Sequence, residues 1–319
     1  SEAVLFETLL DFGFSEGEAL DSISGPAFWA WQLMTNITGY LPPVSKDYVY
    51  ERLTLGKKIL ERYVEFGMYP IQQGFSGHVP ALMEKKQDVK LYMQKGWNGF
   101  EKTAQINPLD PFFKIFGIAY LKKLRELMGF YGYIACDPFH EGTPPKRGKK
   151  YLYAVGKAIS NLYTEFDKIV QADKKTVWVM QSWSMRDDIV QTVDKDKLII
   201  LDINSQRTIN DKRVKEYPVV AGMLHNFGGK NAMQGKLRLS CKNSWLNLKK
   251  NGVKAVGSGM FMEGIEQNPV LYDLQFELLT TDSAIDFESW IKDYIERRYS
   301  GSGKIIEKVH LNERGRHRD

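Results

Sequence analysis

Cysteine is nearly absent: 319 residues hold two, Cys136 and Cys241. Two thiols make neither a multi-bridge disulfide framework nor a four-ligand zinc set. No stretch approaches the roughly 20 consecutive apolar residues that span a bilayer, so no membrane segment is expected. The opening stretch, Ser1 to Asp11, has no basic n-region and no small-residue cleavage site, so no secretory leader is expected there. Charge of one sign is not concentrated either. Forty-four Lys and Arg stand against 39 Asp and Glu, a net +5, and the densest basic group (Lys146, Arg147, Lys149, Lys150) lies in one polar loop. Dispersed charge of this kind is a solvated face rather than a nucleic-acid footprint. No strand candidate runs into a Gly-rich phosphate turn, and no Gly-x-Ser-x-Gly elbow has a His partner. No His has further His, Asp or Glu at metal-ligand spacing, so no metal site is expected.

The chain does hold an ordinary globular mixture, 43% hydrophobic and 26% charged, long enough for one large domain or two smaller ones. Helices are expected from Glu2 to about Asp11, after a Ser15/Glu18 capping box, over Ala27–Leu33, and from about Lys46 to Phe66. From Met68 a rhythm sets in. Short, mostly apolar runs occur at Tyr69–Phe75, Gly132–Cys136, Thr176–Gln181, Leu198–Ile203, Pro218–Leu224 and Ala255–Met260. Helical stretches such as Pro111–Met128 and Lys150–Val170 separate them. Non-alternating runs read as strands buried on both faces of a parallel sheet, and strand–helix alternation implies an α/β fold. A doubly wound sheet and a (β/α)8 barrel both fit. The acids, amides and aromatics near the strand ends favour the barrel, which builds its sites at that face. Six strands do not complete eight, so the expectation is an incomplete (β/α)8 TIM-type barrel of about six parallel strands with surrounding helices. Helices Asn268–Thr280 and Asp286–Tyr299 follow, then a Gly- and Arg-rich tail, Ser300 to Asp319, expected to be disordered.

Two segments carry the chemistry. Ile134 to Glu141 and Gly257 to Ile265 each put a glutamate, Glu141 and Glu263, just past a strand among bulky apolar residues. Such surroundings disfavour the charged carboxylate, which is what a general acid near neutral pH needs. A pair of carboxyl groups is the requirement of glycoside hydrolysis. The alternative is a solvated loop residue or a structural ion pair. Trp31 and Trp183 could stack on a pyranose, with core packing as the alternative for either. His225 and Asn226 could bond sugar hydroxyls. His78 reads equally as a ligand group or a structural histidine. Cys136, inside a strand, reads as an inert thiol. Asn36-Ile37-Thr38 is a glycosylation sequon by pattern alone.

These residues resemble the α-N-acetylglucosaminidases of glycoside hydrolase family 89. The segments that carry the likeness are Gly25-Pro26-Ala27-Phe28-Trp29-Ala30-Trp31, Leu41-Pro42-Pro43, Phe75-Ser76-Gly77-His78-Val79-Pro80 and Asp137-Pro138-Phe139-His140-Glu141. Trp178 to Trp183, Met223 to Gly229 and Glu263 to Asn268 follow in family order. The resemblance implies an exo-acting enzyme that removes terminal α-linked N-acetylglucosamine with retention. It implies Glu141 as acid/base, Glu263 as nucleophile, and Trp31, Trp183, His225 and Asn226 against the sugar. It implies no cofactor, a lysosomal or secreted setting, and partners that are α-GlcNAc-capped glycans such as heparan sulfate ends. It further implies that residues 1–283 are a barrel lacking its first two strands, and that 284–319 begin a helical C-terminal domain. A non-catalytic, vestigial carbohydrate-binding fragment is the alternative. The family commonly has Asn before the acid, where this chain has His140.

Overall fold

The computed structural model describes residues 2–41, 44–171, 175–183, 185–203, 215–227, 235, 237–242 and 244–299. Pro42-Pro43, Gly228-Gly229 and the tail from Ser300, which figure in the expectations above, lie outside the described residues. Contacts divide the chain into two compact units, Ser1–Ile200 and Leu201–Asp319.

The first unit opens with α1 (Glu2–Asp11), α2 (Glu16–Asp21), α3 (Trp29–Leu33) and α4 (Lys46–Glu65). The Ser15/Glu18 capping box forms: Ser15 Oγ accepts from Glu18 N at 3.3 Å, and Ser15 N donates to the Glu18 carboxylate at 2.8 Å. That satisfies two donors a helix start would otherwise orphan. In α4 the buried stripe is Val49, Leu53 and Leu60, whereas Ile59 and Tyr63 stay exposed.

Then come β1 (Ile71–Gln73), β2 (His78–Val79), α5 (Met83–Gln87), β3 (Leu91–Met93), β4 (Ala104–Ile106), α6 (Pro111–Met128) and β5 (Tyr133–Ala135). After them run α7 (Lys149–Ile169), β6 (Val177–Gln181), α8 (Asp187–Val190) and β7 (Leu198–Asp202), the strand in which the first unit passes into the second. Asp110 caps α6 through Phe112 N at 2.8 Å, with Pro111 at the first helical position, where a missing N–H costs nothing. Helices α6 and α7 approach so closely at Gly117 that an added Cβ would stand 2.7 Å from a Leu162 methyl. Phe75, Phe113, Phe116, Leu162 and Trp178 form part of this unit's core. Short strands β2, β4 and β3 make an antiparallel sheet in that order. Pattern reading missed it, because these strands of two or three residues do not lie within a longer apolar run, as the equally short β1 and β5 do.

The second unit adds β8 (Val219–His225), α9 (Leu237–Ser240), α10 (Ser244–Lys250), β9 (Ala255–Met262), α11 (Pro269–Glu277) and α12 (Phe287–Tyr299). Its core joins Met223 and Met260 of the strands to Leu271, Leu274, Trp290 and Ile291 of the last two helices.

The main sheet has six strands in the order β1-β5-β6-β7-β8-β9, with parallel pairing from β1 to β5, β5 to β6 and β8 to β9. All six expected strands are present, with helices around them. Burial on both faces holds for β6, where Trp178, Val179 and Met180 are buried, but not for β1 or β9. Ile71 and Val256 are each 49% exposed. Both strands end the order and, among the described residues, have a strand neighbour on one side only. No described helix is long and apolar enough to cross a membrane. Both cysteines are free and buried. Burial pushes Cys136 up to about 12 and Cys241 up to about 11, so neither thiol ionises readily as a nucleophile would.

Candidate active site

Glu141 sits in the loop that follows β5, and the loop is fixed from several sides. Asp137 Oδ1 accepts the Gln181 N–H at 2.8 Å, tying the loop to the end of β6. Asp137 is half-buried, and loss of solvent raises its pKa to about 7, opposed in part by that hydrogen bond. Phe139 is buried at a φ of +59°, a conformation held by its surroundings. Arg186 spans the turn, donating to the carbonyls of Pro138 at 3.3 Å and Gly142 at 3.2 Å while its guanidinium lies 5.5 Å over the Phe139 ring. Gln94 Oε1 receives Thr143 N at 3.1 Å. His140 is buried, and desolvation lowers its pKa despite the pull of neighbouring Glu141, so the imidazole is neutral at pH 7.

With the loop pinned, the Glu141 side chain is exposed, not enclosed by apolar groups as the sequence suggested. Polar donors hold it instead. Asn36 Nδ2 donates to Oε2 at 2.7 Å and the Trp183 indole N–H donates to Oε1 at 3.2 Å. Trp183 is 48% exposed beside the carboxylate, which leaves ring surface for a sugar face. Asn36 was missed as a site residue. Its sequon is no glycan acceptor in this fold, since the side chain is 5% exposed and its amide is engaged. Thr38, the sequon's third residue, bonds His78 Nε2 at 2.6 Å, and His78 Nδ1 lies 3.2 Å from the Gln32 carbonyl. The carbonyl can only accept, so Nδ1 carries the proton and Thr38 donates to Nε2. Burial pushes His78 down to about 4. It is a structural histidine that supports the turn bearing Asn36.

Trp31 belongs to α3, and Asn36 N donates to the Trp31 carbonyl at 2.9 Å. The Trp31 ring is partly buried, 5.3 Å from Trp97. Trp97, Gln94 and Arg186 were not singled out from sequence. Each lies in a polar loop, and nothing local in the pattern marks it.

Glu263 is placed differently. It follows β9 directly, its N–H donating to the His225 carbonyl at 3.2 Å, and Gly264 N donates to the Asn226 carbonyl at 3.1 Å. The glutamate is exposed and its backbone continues the β8–β9 ladder. His225 is fully buried, edge-on to Tyr272 at 5.3 Å, with Nδ1 3.4 Å from the Tyr272 hydroxyl. Asn226 has a φ of +50° and is 1% exposed, and among the described residues neither atom of its side-chain amide meets a partner. A buried amide with unmet donors and acceptors carries a desolvation cost that a polar ligand would relieve.

The geometry can be set beside known proteins. A family model described as the α-N-acetylglucosaminidase tim-barrel domain matches residues 1–281. Human α-N-acetylglucosaminidase is 28% identical, the match covering 94% of this chain and 42% of the human protein. A family 89 glycoside hydrolase from Clostridium perfringens in complex with PUGNAc is 32% identical with a TM-score of 0.86, over 97% of this chain and 36% of that one. CpGH89 from the same organism, with two glutamates changed to glutamine and in complex with its substrate GlcNAc-α-1,4-galactose, is 31% identical, also with a TM-score of 0.86. The chain therefore spans less than half the length of these relatives.

Proposed function

The chain belongs to the α-N-acetylglucosaminidase family of glycoside hydrolases, and from that premise we propose that it supplies both catalytic carboxyl groups of an exo-acting retaining enzyme. In this reading Glu141 is the acid/base and Glu263 the nucleophile, and the substrate is a glycan ending in α-linked N-acetylglucosamine, such as a heparan sulfate end or another glycoconjugate. The observation that carries it is the grip on Glu141: an exposed carboxylate with both oxygens held by N–H donors, next to an exposed indole face. The substrate complex of the relative with two glutamates replaced adds support, because it is a two-carboxylate reaction that such a pair of changes would stall.

The chemistry runs in two displacements. Glu263 attacks the anomeric carbon while Glu141 gives its proton to the glycosidic oxygen; the carbon–oxygen bond breaks and the aglycone leaves as an alcohol. A glycosyl ester on Glu263 remains. Glu141, now a carboxylate, takes a proton from water as the water oxygen bonds to the same carbon and Glu263 departs. Two inversions give retention, which requires carboxyl groups about 5–5.5 Å apart. Asn36 and Trp183 orient the carboxyl group of the acid/base. Trp183 and Trp31 offer ring faces to the sugar, and the unmet amide of Asn226, next to His225, offers hydrogen bonds. Residues 1–283 are assigned to the catalytic barrel and 284–319 to the start of a helical domain.

The test uses the full-length protein and an α-GlcNAc-capped disaccharide, followed by NMR of the first-formed product. The α-anomer is expected. First release of the β-anomer would overturn retention, and sugar binding without any hydrolysis would support the non-catalytic alternative.

A further inference from the structure

Five aromatic side chains of the first unit close into a ring. Trp31 lies 5.3 Å from Trp97, Trp97 stacks on Phe100 at 5.8 Å, and Phe100 meets Tyr40 edge-on at 4.7 Å. Tyr40 meets Phe28 at 4.8 Å, and Phe28 returns to Trp31 at 5.6 Å. Against this ring opens a groove of about 660 Å³, with residues 37–40 on one wall and 98–102 on another. That size falls within the about 300–1,000 Å³ typical of small-molecule sites. The first wall starts at Ile37, one residue after the Asn36 whose amide binds Glu141. One short segment, residues 36–40, thus supplies both a donor to the candidate acid and part of the groove lining.

A general acid protonates the leaving-group oxygen, so the leaving group must lie on the acid's side of the cleaved bond. A linear glycan extending from that oxygen runs past Glu141. The groove's lining suits sugars: Tyr40 and Phe100 offer ring surface for pyranose faces, and Asn98, Glu101 and Lys102 offer donors and acceptors for hydroxyls. Adjacent opposite charges at Glu101 and Lys102, both exposed, fit hydroxyls better than a polyanion, which favours a neutral glycoconjugate over a heparan sulfate end among the substrates proposed above. We infer that this groove binds the leaving-group portion of the substrate, namely the second and later sugars beyond the cleaved bond. The inference rests on the glycosidase reading above.

The experiment measures kcat/KM of the full-length protein on an aryl α-N-acetylglucosaminide and on α-GlcNAc-capped di- and tetrasaccharides, for wild type, Lys102→Ala and Phe100→Ala. Wild type should favour the tetrasaccharide over the disaccharide by about fivefold, and Lys102→Ala, at an exposed position, should erase most of that preference. Phe100→Ala should lower the tetrasaccharide rate more than the aryl rate. Equal wild-type rates on the two oligosaccharides, or variants that slow all substrates alike, would overturn the groove and leave the glycosidase intact. Were no substrate hydrolysed, the enzymatic reading would fail instead. Tetrasaccharide binding would then decide the groove: weakened by Lys102→Ala keeps it, unchanged overturns it.

Discussion

The two glutamates stand at different distances from their strands and are held by different contacts. Glu141 lies six residues beyond its strand, and side chains from distant segments position it, Asn36 and Trp183 directly and Arg186 and Gln94 through the loop, which its own Asp137 ties to β6. Glu263 lies one residue beyond its strand, and backbone hydrogen bonds to His225 and Asn226 position it. N–H donors on both oxygens fix the direction in which the Glu141 carboxyl faces, and geometry is the first requirement of a general acid or base. A nucleophile needs a fixed origin and room to reach carbon. The contrast teaches that the acid end should be sensitive to side-chain substitution at a distance, at Asn36 above all.

That contrast can be broken or sharpened by measurement. The largest effect is expected at its endpoints: Glu263→Ala should lower kcat by more than about ten-thousandfold on every substrate, since no covalent ester can form. Residual activity within tenfold of wild type would remove Glu263 from the mechanism. Next, Glu141→Gln should cost about 10²–10⁴-fold on an oligosaccharide and distinctly less on an aryl glycoside, whose leaving group needs little protonation. Equal losses on both would argue against an acid role.

Asp137 tests the loop itself. Its pKa rises from 3.8 to about 7 on folding. Between those values the folded state binds the extra proton, so the stability from this group is full below pH about 4 and is lost as pH rises through about 7. Asp137→Asn keeps the acceptor for Gln181 and removes the titration. Urea unfolding should show the variant gaining on wild type between pH 5 and pH 8, by on the order of a few kcal/mol at most. A gap independent of pH would show that the carboxyl is not desolvated. Smaller still, Asn36→Ala removes one donor from a charged group and should lower kcat/KM about tenfold. The smallest change belongs to the other end. Tyr272→Phe loses only the 3.4 Å contact to His225 and should shift kcat/KM by about twofold or less. If it instead matched Asn36→Ala, the greater sensitivity assigned to the acid end would fail.

Legibility followed the range of the signal. The six main strands and the helices Pro111–Met128 and Lys149–Ile169 show in the sequence because apolar periodicity and caps act within a few residues. The β2-β4-β3 sheet left no period to read, and the exposure of Val256 and Met262 on β9 depends on which strands neighbour it. Within the site, Glu141 and Trp183 were singled out as separate strand-end residues, but their hydrogen bond spans 42 positions. Asn36 carried a misleading local pattern, and its partner stands 105 positions away.

By itself the sequence determined the element types, the α/β alternation and, through ordered segments from Gly25 to Asn268, the family. Those properties are encoded in short windows whose physics is local. Tertiary structure alone decided which donors grip Glu141, that the sequon asparagine is buried, that the Asn226 amide meets no partner among the described residues, and that five aromatic rings close beside a groove. These depend on residues that meet only when the chain returns on itself, and no local pattern records such a meeting.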